Sequence, residues 1–225
     1  MILLGARLNQ RSGRGTIVII KKTLKNVRHF YTVREARQIT TDLCLETLAR
    51  YYNDRGYLTR KSVFSQDRRP RKEVNAHPVI VMAANEQDRD IITGLREKDI
   101  PVEALFISHQ TTPPVNEKNP VRPGLGRDLT VTGNQLLETA QAVLTQQRLV
   151  VELPSAAGMS TVPPDDLLSA ETVKQSLATI KAGRSFPGQN QAELLPALAA
   201  PVWYRENFKY RPVYRTSATS TRQYK

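Results

Sequence analysis

Cysteine is almost missing from this sequence. Cys44 stands alone among 225 residues, which excludes an internal disulfide framework and a cysteine-rich zinc site. Histidine is nearly as scarce, and His29, His77 and His109 lie too far apart to offer a metal-ligand spacing. No apolar run approaches the roughly 20 residues that a membrane-spanning helix requires, so no membrane partner is expected. The opening Met1-Ile2-Leu3-Leu4 is too short for a signal-peptide core and has no small-residue cleavage site, so a reducing cytoplasm is the expected place of synthesis. No Gly-x-Ser-x-Gly occurs and no histidine adjoins a suitable nucleophile, which leaves Ser/His/Asp catalysis without support.

What is present is positive charge, unevenly placed. The formal net charge is +12, of which residues 1–80 carry +11, residues 81–200 carry −4 and residues 201–225 carry +5. A basic first third and a basic tail around a mildly acidic middle point to a polyanionic partner, nucleic acid or acidic protein. Within the first third, Arg68, Arg69, Arg71 and Lys72 form a basic run that reads either as a phosphate-binding loop or as a solvated one.

Hydrophobic patterning predicts an α/β chain. Residues 2–8 and the β-branched Thr16-Ile17-Val18-Ile19-Ile20 read as strands separated by a polar turn with two glycines, and residues 27–33 as a third strand. Thr40 or Thr41 caps a helix whose stripe is Leu43, Leu45, Leu48, Tyr51 and Tyr52, with Cys44 as a small buried hydrophobe beside it. Residues 60–72 read as an exposed loop. Beyond Pro78 the pattern alternates: a strand at 79–82 covered on both faces, a helix at 88–98, a strand at 102–107 and a long loop at 110–127. A helix at 134–146 and an edge segment at 148–153 follow. Pro163-Pro164-Asp165-Asp166 reads as the start of a helix to about residue 182, and an Ala/Leu-rich helix is expected at 191–200. His109 reads as ordinary polar packing.

The tail differs from a simple solvated end. Trp203, Tyr204, Phe208, Tyr210 and Tyr214 interleave with Arg205, Lys209, Arg211 and Arg215. Aromatics as anchors of an extended arm on a neighbouring subunit are one reading; stacking on nucleic-acid bases is the rival.

The order of three hairpin-like strands, a helix and then β-α-β-α is ribonuclease-H-like, a mixed β-sheet flanked by helices. Several segments resemble the nuclease domain of phage large terminase subunits. Leu129-Thr130-Val131-Thr132-Gly133-Asn134-Gln135-Leu136-Leu137, continuing to Leu149, is similar to that family's stretch of strand end, helix and strand. Residues 79–96 with Asp99-Ile100-Pro101-Val102 resemble its strand, turn and helix, and residues 191–203 its last helix. The resemblance covers residues 1–203 as one domain and leaves 204–225 as a basic, aromatic C-terminal arm. The sequence carries no phosphate-binding glycine loop, so a packaging motor is not expected.

Such nucleases use carboxylates to hold two divalent metals about 4 Å apart. At the positions that the resemblance assigns to those acids, this chain reads Arg7, Met82, Ala192 and Glu193. Arg7 would put a cation where metals belong. Asp88 and Asp90 are nearby acids whose ordinary reading is the start of a helix. The resemblance therefore implies a pseudo-nuclease with no catalytic residue, no metal and no cofactor. It points to a structural or assembly protein of a phage-like particle, at the head–tail connection or tail, built in the host cytoplasm and retained in the virion. Its partners would be copies of itself or other particle proteins. A DNA-binding accessory of packaging or replication, with double-stranded DNA as partner, is the alternative, and an active nuclease with displaced acids the third reading.

Overall fold

A computed structural model describes residues 1–54, 59–63, 72–108, 125–153, 167–182 and 193–208, with only the main chain for 59–63 and 72–75. Strands β1 (Ile2–Asn9), β2 (Arg14–Lys25) and β3 (Arg28–Thr40) form an antiparallel meander. Both strands of the second hairpin are longer than the sequence pattern suggests, because ladder pairing carries them into polar residues. Helix α1 (Thr41–Asn53) follows where expected, but Thr40 starts it without a side-chain cap and Leu43 of the expected stripe is 54% exposed. The basic stretch read as a loop is in part a strand: β4 (Thr59–Val63) pairs with β5 (Lys72–Ala76) in a separate two-stranded ribbon. Its alternation of polar residues hides it, since no apolar face marks its period.

The chain then enters the main sheet again as β6 (Val79–Ala84), makes a short 3-10 turn at Glu86–Asp88, and continues as α2 (Arg89–Glu97) and β7 (Val102–Ser108). Next come β8 (Asp128–Thr132), α3 (Gly133–Thr145), the edge strand β9 (Leu149–Val151), α4 (Ala170–Lys181) and α5 (Leu194–Asn207). The result is an α/β fold with a seven-stranded mixed sheet in the order β8-β7-β6-β1-β2-β3-β9. Strand β6 runs parallel to β1, β7 to β6, β8 to β7 and β9 to β3, so β2 alone runs against the rest.

Alternation along the strands sorts side chains onto two cores. Leu4, Ala6, Leu8, Ile17, Ile19, Ile80 and Met82 meet Cys44 and Leu48 of α1 and Ile92 and Leu95 of α2. Leu3, Val18, Ile20, Tyr31, Val33, Val81 and Ala83 face α3, α4 and α5. Both faces of β1, β2 and β6 are covered, which is why their sequences read as unbroken apolar runs.

Local chemistry starts the helices. Thr132 accepts a hydrogen bond from the Gln135 N–H at 3.1 Å, while the Gln135 side chain accepts from the Thr132 N–H at 2.9 Å, a reciprocal cap for α3. For α4 the cap is Ser169, which accepts from the Thr172 N–H at 3.1 Å. The helix therefore starts later than Pro163-Pro164-Asp165-Asp166 suggested: Leu167 is still extended, bridged to Arg37. Asp165 and Asp166 lie outside the described residues.

Helix α5 also departs from expectation, running to Asn207 through Pro201. It is buried all round over residues 194–204, between the sheet and the α3 and α4 helices. Gly5 permits its close approach to β1, because a Cβ there would collide with the carbonyl oxygen of Ala197. Pro201 has no N–H to claim that carbonyl, and its ring packs beside the same glycine. Two polar clamps hold the far end. Tyr204 donates to Glu103 at 2.9 Å and accepts from Arg127 at 3.1 Å. Glu206 takes two hydrogen bonds from Arg148, at 3.0 and 3.2 Å, and one from Tyr31 at 2.7 Å.

Candidate functional site

The sheet brings three charged groups together at the C-terminal end of β1. Arg7 and Asn9 share a face with Gly5, the face on which α5 packs. Arg7 is paired in register with Ala83 of β6 and donates from Nη1 to the Ala83 carbonyl at 3.0 Å. Asp88, fully buried in the 3-10 turn after β6, accepts from the Asn85 N–H at 2.8 Å and from Gln10 Nε2 at 3.4 Å. Glu193, 7% exposed at the N-terminal boundary of α5, accepts from Asn9 Nδ2 at 2.9 Å.

The electrostatics are those of a cation held between two carboxylates. Burial lowers the pKa of the Arg7 guanidinium, while the charges of Asp88 and Glu193 pull it back up. Burial likewise raises the Asp88 carboxyl above its ordinary range, against the Asn85 N–H, the Arg7 charge and the Gln10 side chain. Arg7 and Asp88 thus each offset part of the other's burial cost, with Glu193 acting on Arg7 as well. No ion pair within 4 Å is needed for this; the coupling acts through a low-dielectric gap.

A divalent-metal centre does not fit these residues. A hard cation needs several oxygen ligands, and the two carboxylates of this cluster each also hold a neutral donor. Arg7 contributes a repelling charge at the same spot. Among the described residues no group of three or more His, Cys, Asp or Glu side chains is close enough to hold a metal ion.

The positions singled out by sequence are only partly gathered here. Arg7 and Glu193 belong to the cluster. Met82 does not: it points to the α1/α2 face with Ile80, so Ala83 is the β6 residue that meets Arg7. A one-residue shift along a strand moves a side chain to the opposite face. Ala192, Arg68, Arg69, Arg71, Tyr210, Tyr214 and His109 lie outside the described residues, and Lys72 is described only as the first main-chain position of β5.

Trp203 and Tyr204 are corrected most plainly. Instead of opening an exposed arm they lie inside α5, 6% and 2% exposed, sealing the core. Phe208 folds back on them, with ring centroids 5.6 Å from Trp203 and 5.7 Å from Tyr204, and the Arg127 guanidinium 4.7 Å from its own ring. Charged residues disguised this segment: Arg205 and Glu206 follow directly on the buried turns, and Glu206 enters the clamp with Arg148 and Tyr31. Beside Trp203, Asn207 and Phe208, with Gln135, Glu138 and Thr139 of α3, line a groove of about 400 Å³.

Asp88 takes the helix-start role: it accepts from the Asn85 N–H at the end of the 3-10 turn and immediately precedes α2, and its charge also acts on Arg7. Asp90 is simply exposed. Asn9 and Gln10 were missed by sequence reasoning, although polar residues at alternate positions 7 and 9 of an apolar strand are a visible signal of a polar end to one face. Cys44 is buried as expected, and burial, with a smaller contribution from Asp88, pushes its thiol up to about 12. His77 stacks on Tyr52 at 4.5 Å and contacts the Tyr52 carbonyl at 2.9 Å, an ordinary packing role. The chain matches no family model, no curated protein and no solved structure.

Proposed function

We propose that this chain is a non-catalytic relative of the ribonuclease-H-like nuclease domain of phage terminases, used as a structural or assembly component of a phage-like particle. The observation that carries this reading is Arg7. It lies where the ends of β1 and β6 and the start of α5 converge, with its charge between Asp88 and Glu193. In the family that the sequence resembles, acids at such positions hold metals; here an internal cation serves the two carboxylates instead. The order β3-β2-β1-β6-β7, with β2 alone reversed, supports the ribonuclease-H-like assignment.

A body with this site has a reason to keep the fold without the reaction. The Arg7 cluster ties two strands to the most buried helix, so it stabilises the layer that presents the outer surfaces. Incubation of the protein with duplex DNA and Mg²⁺ or Mn²⁺ is expected to give no cleavage, and calorimetric titration with Mn²⁺ no site-specific binding. Cleavage that disappears in Glu193→Ala would refute the reading. Quantitative mass spectrometry of purified particles should count the protein as a fixed multi-copy component. Truncation after Phe208, which spares the clamps on α5, is expected to remove it from particles.

A further inference from the structure

The end of the sheet opposite Arg7 carries a different feature. Strands β2 and β3 continue past both of their neighbours: β1 pairs with β2 only as far as Lys21, and β9 joins β3 only from Tyr31. Past the bonds between Met1 and Lys22, β2 and β3 pair with no third strand among the described residues, with Lys25 opposite Arg28, Leu24 opposite His29 and Thr23 opposite Phe30. Lys21, Lys25 and Arg28 are exposed and share one face, because residues opposite each other in the ladder, and residues two apart, point the same way. None of the three forms an ion pair among the described residues. Acids on neighbouring stretches pair with other groups: Glu206 with Arg148 and His29, Glu152 with Arg34 and Glu35 with Arg37. In sequence, residues 1–34 contain eight Lys/Arg and no Asp or Glu.

The tip of the ribbon is a two-residue turn whose second residue is poorly suited to it. Asn26 and Val27 both have left-handed backbone, with φ of 48° and 65°. Asn suits the first place of such a turn, but the second is normally glycine, and a β-branched residue there costs about 1–2 kcal/mol. Val27 is also 92% exposed and Leu24 64% exposed, so neither recovers that cost by burial. An apolar side chain kept at the most exposed and least favourable point of a cationic ribbon suggests a contact made outside the monomer.

We propose that the β2–β3 ribbon is a docking surface for duplex nucleic acid, with Lys21, Lys25 and Arg28 on phosphates and Val27 against the groove. A two-stranded ribbon is one of the two shapes that the major groove admits, and that groove is about 8.5 Å deep. Lys21 sits four residues behind Lys25, or about 13 Å along the strand, so it remains outside the groove on the phosphate side when the tip reaches the base edges. Further cations act on the other face of the ribbon, where Lys22 and His29 lie. The His29 imidazole is held below its ordinary pKa by burial and then by the charges of Lys22 and Arg205, which outweigh Glu206. The surface lies at the far end of the sheet from the Arg7 cluster and does not depend on the role proposed above.

The test is fluorescence anisotropy of the full chain on a random-sequence duplex of about 20 base pairs, titrated between about 50 and 200 mM salt. Three phosphate contacts contribute about 2.7 to the slope of log affinity against log salt, or about 40-fold in affinity across that range. The triple variant Lys21→Gln, Lys25→Gln, Arg28→Gln is expected to lose that part of the slope. A control with the same charge loss at exposed Arg11, Arg14 and Lys98 should keep it. Val27→Gly separates binding from folding: relief of the left-handed strain should raise the melting temperature, while duplex affinity falls. The proposal is overturned if the triple variant and the control lose affinity equally, or if Val27→Gly binds as tightly as the parent. It is also overturned if the parent ignores duplex and instead sediments with phosphatidylserine vesicles or binds polyglutamate.

Discussion

Replacing Arg7 by methionine tests the central electrostatic claim. Methionine keeps most of the apolar stem and removes only the charge and its donors. Two losses follow. The Ala83 carbonyl loses its 3.0 Å hydrogen bond, worth about 1 kcal/mol net. Asp88 and Glu193 lose the cation on which their charges act, with a ceiling of about 4 kcal/mol for one contact pair at an effective dielectric near 20 and a floor near zero for exposed pairs. Because Asp88 is fully buried and Arg7 stands beyond ion-pair contact, about 2 kcal/mol is the reasonable middle. The sum, about 3 kcal/mol, corresponds to a fall of roughly 6–12 °C in melting temperature for a chain of this size.

The pH dependence gives the test its sign. Burial already raises the Asp88 carboxyl above its ordinary value, and Arg7 is among the groups that oppose the rise. Without Arg7 it rises further. A carboxyl with a raised folded-state pKa costs stability above that pKa, and the cost disappears as pH falls through it. The deficit of Arg7→Met should therefore be largest at pH 7–8 and shrink on acidification towards the ordinary carboxyl range near 4. Asp88→Asn on the same background should recover part of it at neutral pH. Urea unfolding followed by circular dichroism across this range measures both effects. A deficit below about 1 kcal/mol, or one that stays constant from pH 8 to 4.5, would refute the coupling.

Three other perturbations probe different parts of the molecule. Glu206→Ala strands the buried Arg148 and the Tyr31 hydroxyl and should cost about 3 kcal/mol at neutral pH. Burial pushes the Glu206 carboxyl up, but hydrogen bonds from Arg148 and Tyr31 and the Arg148 charge outweigh it and hold it low. Its contribution is thus present above the ordinary carboxyl range and lost as pH falls through the lowered value, so stability differences that grow in acid would contradict the clamp. Gly5→Ala would drive a methyl into the Ala197 carbonyl and should cost about 3 kcal/mol; a melting temperature within 2 °C of the parent would mean that α5 does not approach β1 so closely. Cys44, fully buried and with its thiol pushed up to about 12, should react with a thiol reagent only as the protein unfolds, and rapid native labelling would argue against its burial.

Much of the architecture is determined by the sequence alone, through patterns that act locally. The β-branched run at 16–20, the unbroken apolar stretch at 79–82 and the helical stripes at 43–52 and 134–146 each impose one conformation, and the Thr132–Gln135 cap lies within four residues. What local pattern does not reveal is which groups meet across distance. Arg7, Asp88 and Glu193 are far apart in the chain, and their meeting depends on β1 and β6 pairing in one register, which also turns Met82 away and puts Ala83 in its place. Trp203 and Tyr204 look like an adhesive arm when read by composition, because a helix buried on every side has no polar face to reveal its period. The free ribbon beyond Lys22 is likewise invisible until the lengths of its neighbours are known. Local chemistry determined the elements; only tertiary structure, by setting register and burial, decided which charges share a site and which aromatics face solvent.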